Sequence, residues 1–131
     1  MIPKFRAWDK VFKEMVQVNA LVLDEQVVKV TYKNGNVAKE DMKEYELMQS
    51  TGLKDKNGKE IFEGDIITNG QNVMCMKRHN TLGFYVEEKG EVEFIADSAV
   101  LEDFEEDAKE IADRLEIIGN IYENPELLEV E

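Results

Sequence analysis

A chain of 131 residues with 43% hydrophobic content can bury a core as one compact unit, or as two small ones, without a disulfide or metal. It carries 29 acidic against 16 basic side chains, and the excess is uneven: residues 1–86 sum to +1, while residues 87–131, with 17 acidic and 3 basic, sum to −14. That sign opposes direct binding of DNA or RNA, whose phosphates are met by clustered Lys and Arg. The single Cys75 has no disulfide partner and suits a reducing compartment. No apolar run approaches the roughly 20 residues of a membrane span, and residues 1–6 lack the apolar stretch of a signal peptide, so the expected address is the cytoplasm.

In chain order, Lys4 to Trp8 alternates like a strand, and Asp9-Lys10 reads as a turn before a second strand from Phe12 to Val18. Leu21 to Leu23 and Val27 to Tyr32 are rich in β-branched residues, with Val28, Val30 and Tyr32 on one face. Asn34-Gly35 and Asn57-Gly58 are hairpin signals, and a two-residue type I′ turn at each would need positive φ at both central residues. Between them, Val37 to Gln49 fits a short helix or a strand. Phe62 to Thr68, broken at Gly64-Asp65, Val73 to Arg78, Leu82 to Glu87 and Glu91 to Ala96 read as half-buried antiparallel strands. Leu101, Phe104, Ala108, Ile111, Ala112 and Leu115 then recur at helical spacing, so an amphipathic helix is expected near 100–114 with an acidic outer face. Leu115 to Tyr122 reads as a closing strand. Asn124-Pro125-Glu126 resembles the start of a short helix ending near Leu128.

Chemical motifs are sparse. Cys75 and His79 are four residues apart in a predicted strand, about 13 Å along the backbone, and no second His or Cys completes a metal site. The run from Asp55 to Glu60 only superficially resembles a Ca²⁺ loop, since lysines interrupt it. No nucleophile elbow and no phosphate-cradling glycine motif occurs. Trp8, beside Phe5, Ala7 and Phe12, reads as a packing residue before a ligand-stacking one. These readings point away from an enzyme, and no cofactor or metal is expected.

Three stretches carry a resemblance: KFRAWD at positions 4–9, LMQSTGLKDKNGKEIFEGDI at 47–66, and IIGNIYENPELL at 117–128. Together they resemble the YopX family of phage and prophage proteins. The resemblance implies a mainly β fold. It also implies an N-terminal β portion over 1–46 and an SH3-like β-barrel over 47–131 with the helix near 100–114 inserted. It implies a phage or prophage origin and a host-bacterial cytoplasmic location, and it brings no catalytic or binding residues. Within its motifs, Gly52, Gly58, Gly64 and Gly119 are expected at turns or close approaches, and Leu53, Ile61, Ile66, Ile117 and Ile121 in the core. The leading expectation for function is a non-enzymatic phage accessory protein that binds another protein or itself, with neither nucleic acid nor membrane as a direct partner. The alternative is an acidic DNA-mimic decoy, presenting Glu102, Glu105, Glu106, Glu110 and Asp113 to a host nucleic-acid enzyme. The two differ in salt dependence, because a charge-driven contact weakens steeply with salt.

Overall fold

The structure, a computed structural model, describes residues 4–79, 83–88, 91–96 and 109–128. The β-branched and alternating runs become eleven described strands: β1 (Phe5–Asp9), β2 (Glu14–Val22), β3 (Val27–Thr31), β4 (Val37–Asp41), β5 (Tyr45–Lys54), β6 (Glu60–Phe62), β7 (Asp65–Thr68), β8 (Val73–His79), β9 (Gly83–Glu88), β10 (Glu91–Ala96) and β11 (Glu116–Asn120). Short 3₁₀ turns at Met42–Glu44 and Pro125–Leu128 complete the described elements, with residues 109–112 α-helical. The fold is mainly β, built from two antiparallel sheets. The helix expected near 100–114 lies mostly outside the described residues.

The chain divides into two compact units, Met1–Ser50 and Thr51–Glu131, and the division falls within β5. In the first unit the strand order is β4-β3-β2-β1-β5. Its core is Ala7, Val16, Val28, Val30 and Tyr45, against which Val18, Leu21, Tyr32, Ala38 and Leu47 pack. Val28 and Val30 are inward neighbours two apart on β3, as the strand period requires.

In the second unit a five-stranded sheet has the order β10-β9-β8-β7-β11. It repeats the first unit's plan. Four strands run as a meander, a short helical segment follows, and the fifth strand returns to the free edge of the first. Among the described residues β10 and β11 remain the two edges of this sheet, so no pairing closes it into a barrel. One sheet face carries Ile67, Met74, Met76 and Val86 into a core completed by Ile61, Ala112 and Leu115. Leu53 and Ile117 of the family motifs pack against that core.

Two expectations need correction. The Asn-Gly loops are not type I′ turns, because Asn34 and Asn57 do not have positive φ; only Gly35 (+90°) and Gly58 (+82°) do. The Tyr32 carbonyl accepts from the Gly35 amide at 2.9 Å, and the Tyr32 amide donates to Asn36 at 2.8 Å. Asp55 and Lys59 repeat this around Gly58, at 3.0 and 2.8 Å. This is the three-residue loop ending in a left-handed glycine, which keeps the strand twist while leaving the asparagine in ordinary backbone. The second correction is at Phe12, which belongs to the β1–β2 turn and is 73% exposed; β2 begins only at Glu14.

Asp55 ties its turn to β11. Its Oδ1 accepts from the amides of Asn57 and Lys59, each at 2.9 Å, and its Oδ2 from the amide of Ile117 at 3.0 Å. The Lys56 amide donates to the Leu115 carbonyl at 2.8 Å. At the other end of β11 a Cβ on Gly119 would fall 2.5 Å from Asn124 Oδ1, a close approach only glycine permits.

Candidate functional site

The alternation along β8 and β9 decides what each face of the second sheet presents. Met74, Met76 and Val86 point into the core, so Cys75, Lys77, Tyr85 and Glu87 occupy the opposite face, with Cys75 opposite Glu87 and Lys77 opposite Tyr85 in the ladder. On this face lies a cleft of about 360 Å³, bounded by the Glu63-Gly64 turn, by β8 and β9, and by the segment from Ile121 to Leu128. That volume is at the small end of ligand cavities, roughly 300–1,000 Å³. It suits one or two side chains.

Backbone hydrogen bonds hold the walls. The Gly64 amide donates to the Met76 carbonyl at 2.8 Å, and the Ile121 amide donates to the Gly64 carbonyl at 2.9 Å. Asn120 positions Tyr122: its Oδ1 accepts from the amides of Tyr122 and Glu123 at 3.0 and 2.9 Å, while its Nδ2 donates to Glu123 at 2.8 Å. The 3₁₀ turn that follows brings Leu128 to the rim, 43% exposed. A buried Asn with two backbone acceptances is a rigid support for an aromatic wall.

The charges of the cleft are paired. Lys77 Nζ lies 3.0 Å from Glu87 Oε1, and that hydrogen bond raises the lysine above its ordinary value. Arg78 Nε lies 3.8 Å from Glu63 Oε1. Cys75 is 3% exposed, and burial pushes its thiol up to about 11. At neutral pH it is a protonated, poorly nucleophilic group. The site therefore offers aromatic and aliphatic contact bordered by neutralised ion pairs, an arrangement that suits binding.

A second feature lies in the first unit. Asp9 is 2% exposed, and its Oδ1 accepts from the amides of Val11 and Phe12 at 2.8 and 3.1 Å. Its Oδ2 accepts from the Tyr32 hydroxyl at 2.7 Å, and the Tyr32 and Tyr45 hydroxyls are 2.7 Å apart. Burial, with the bonds to Tyr45 and Asp9, holds the Tyr32 phenol far above its usual range; burial also raises Tyr45. The turn presents Val11 and Phe12 to solvent at 62% and 73% exposure, the Phe12 ring meeting Tyr32 edge-on at 6.4 Å.

Of the acidic residues singled out in the sequence, Glu110 and Asp113 are exposed at the described end of the helix, while Glu102, Glu105 and Glu106 lie outside the described residues. Trp8 is half-buried in β1, opposite Met15 and Glu46. Among the described residues no group of three or more His, Cys, Asp or Glu could hold a metal, and no helix is long and apolar enough to cross a membrane. Sequence reasoning missed the cleft because its walls come from three separated segments. The alternation of Met74 and Met76 with Cys75 and Lys77 was the signal for its floor.

None of the curated proteins is similar enough to this chain to count as a relative. The crystal structure of protein EF1440 from Enterococcus faecalis is 32% identical over 98% of this chain and 99% of that one, with a TM-score of 0.63. The family described as YopX protein matches residues 4–129, a span that takes in both units, the cleft and the Asp9 turn. The chain belongs to the YopX family.

Proposed function

We propose that this is a non-enzymatic accessory protein of a phage or prophage, acting in the host cytoplasm by binding protein, with the second-unit cleft receiving an apolar side chain of its partner. The cleft carries this reading. Tyr85, Tyr122 and Leu128 line a small recess whose polar neighbours are already paired, so an apolar group can enter without stranding a charge. We also read the portion from residue 47 onward as an SH3-like barrel, which its order of meander, short helix and returning strand supports. Such barrels serve many functions, so the cleft and not the fold bears the argument. Peptide-display selection on the full chain is expected to enrich sequences with an aromatic residue, and Leu128→Glu and Tyr122→Ser are each expected to lose them. Enrichment unaffected by both variants, or none at all, overturns the reading.

The charge asymmetry favours a second reading, an acidic decoy for a basic groove on a host nucleic-acid enzyme, since residues 87–131 carry −14. Neutralising Glu106, Glu110 and Asp113 to Gln or Asn should leave the melting temperature unchanged while abolishing a salt-sensitive complex with that enzyme. Capture of the same proteins with and without these charges removes the decoy from consideration.

A further inference from the structure

We propose that the protein self-associates head to tail, the Val11–Phe12 tip of one copy entering the second-unit cleft of another. The proposal rests on the reading of that cleft as a protein-binding site and names its occupant.

The tip is built to be presented. Both amides of Val11 and Phe12 are held by Asp9, and the Lys13 amide donates back to the Asp9 carbonyl at 2.8 Å. Lys13 itself sits at φ +54°, a left-handed conformation uncommon outside glycine. A turn whose backbone is held this way gives up little backbone freedom on binding.

The molecule contains its own control for what this turn requires. The β7–β8 turn occupies the equivalent place in the second unit's strand order, and Asn69 Oδ1 accepts from the amides of Gln71 and Asn72 at 2.9 and 2.8 Å, at the same two offsets as Asp9. Its residues are Gly70, Gln71 and Asn72, all exposed and polar. The hydrogen-bond plan is thus satisfied without apolar residues, so it does not account for Val11 or for Phe12, whose one ring contact among the described residues is the edge-on meeting with Tyr32.

Charge disfavours one geometry. Residues 1–50 hold eight basic and eight acidic side chains, whereas residues 51–131 hold 8 basic and 21 acidic. Pairing two second units about a two-fold axis would set like charge against like; a first unit against a second unit avoids this. The Lys13 ammonium makes no ion pair with any described residue, and the segment carrying Tyr122 and Leu128 also carries Glu123 and Glu126. An aromatic anchor with an adjoining lysine matches an apolar recess whose own charges are paired and whose outer segment adds the exposed Glu123 and Glu126. The contact is heterologous, so it propagates into a ring or a chain of copies.

Sedimentation velocity of the full chain tests it, carried to about 200 μM because interfaces below about 1,200 Å² are weak. Wild type is expected to grow with concentration beyond a dimer. Phe12→Ser and Leu128→Glu are each expected to sediment as one chain with unchanged circular dichroism, Tyr122→Ser giving the cleft an independent variant. Mixed in equal amounts, a tip variant and a cleft variant retain one intact tip and one intact cleft, and are expected to form a dimer that grows no further. A wild-type monomer throughout, or oligomers indifferent to Phe12→Ser, overturns the proposal. Variants that stay monomeric when mixed also overturn it, since one intact tip and one intact cleft then do not suffice, and a Leu128→Glu chain that still dimerises alone overturns it in favour of a symmetric tip-to-tip contact. Phe12-dependent flotation of a monomeric chain with phosphatidylglycerol vesicles overturns it in favour of a membrane anchor. If Leu128→Glu still loses display-selected peptides while Phe12→Ser keeps them and no oligomer forms, the cleft reading stands and only its occupant is wrong.

Discussion

Replacing Asp55 should separate the local from the long-range part of its network. Hydrogen bonds to a charged group contribute about 1.5–3 kcal/mol each. The three at Asp55 are not equivalent, because Asn57 and Lys59 are exposed and their amides regain water once the carboxylate is gone. The Ile117 amide, in a half-buried strand against the second-unit core, is the costly loss. Asp55→Ala is therefore expected to cost about 3 kcal/mol. Asp55→Asn keeps one oxygen for the turn but sets an NH₂ against the Ile117 N–H, and is expected to cost about 2 kcal/mol. Urea unfolding of the full chain measures both. Acid adds a second axis. Burial alone would raise the Asp55 carboxyl, but the amides of Ile117, Lys59 and Asn57 outweigh it and hold the group below its ordinary value. A depressed carboxylate stabilises the fold above its unfolded value, about 3.9, and that contribution is lost as pH falls through the lower folded value. Asp55→Asn should flatten this acid limb. Both variants within about 0.5 kcal/mol of wild type, with an unchanged acid limb, would refute the reasoning.

Other perturbations test other joints. Gly119→Ala should cost about 1–3 kcal/mol by driving a methyl into Asn124. Adding Asn124→Ala should recover part of that loss, a non-additivity that a double-mutant cycle reads directly. Gly58→Val should cost more than Gly58→Asn, since asparagine tolerates φ +82° and a β-branched residue does not; equal melting temperatures would contradict the turn assignment. Tyr32→Phe should cost about 1–3 kcal/mol by leaving the buried Asp9 carboxylate without its hydroxyl donor. The raised phenols of Tyr32 and Tyr45 stabilise the fold below about pH 10 and that contribution fades above it, so ultraviolet titration should show both ionising only as the fold is lost.

What was legible in the sequence follows from what is local. β3, β8 and β9 announced themselves because their inward residues recur at period two: Val28 with Val30, Met74 with Met76, Phe84 with Val86. The Asn-Gly pairs located two turns but misnamed them, since the choice between a two- and a three-residue loop depends on which carbonyl the glycine amide reaches. Phe12 was assigned to a strand on hydrophobicity alone. The contrary signal was Asp9, a carboxylate placed to accept from amides two and three residues on. The repeated strand order was invisible, because it is set by which sheet edge a strand joins and leaves no repeated residues. The cleft was invisible for the same reason.

That strand order has a consequence for synthesis on the ribosome. In each unit the first strand of the meander ends up paired on both sides, yet its second neighbour is made last. β5 begins about forty residues after β1, and β11 about fifty after β7. At about 5–20 residues per second the open edge of β1 waits about 2–8 s, and that of β7 about 2.5–10 s. Hairpins zip in about 1–10 μs, so each hairpin forms as soon as its second strand is made, while the outer backbone edge of the first strand stays unsatisfied until the returning strand appears. β1 waits with Arg6 and Asp9 along it. β7, by contrast, waits as Asp65-Ile66-Ile67-Thr68, two adjacent isoleucines with a single charge, which leaves it more exposed than β1 to mispairing with a neighbouring polysome's product.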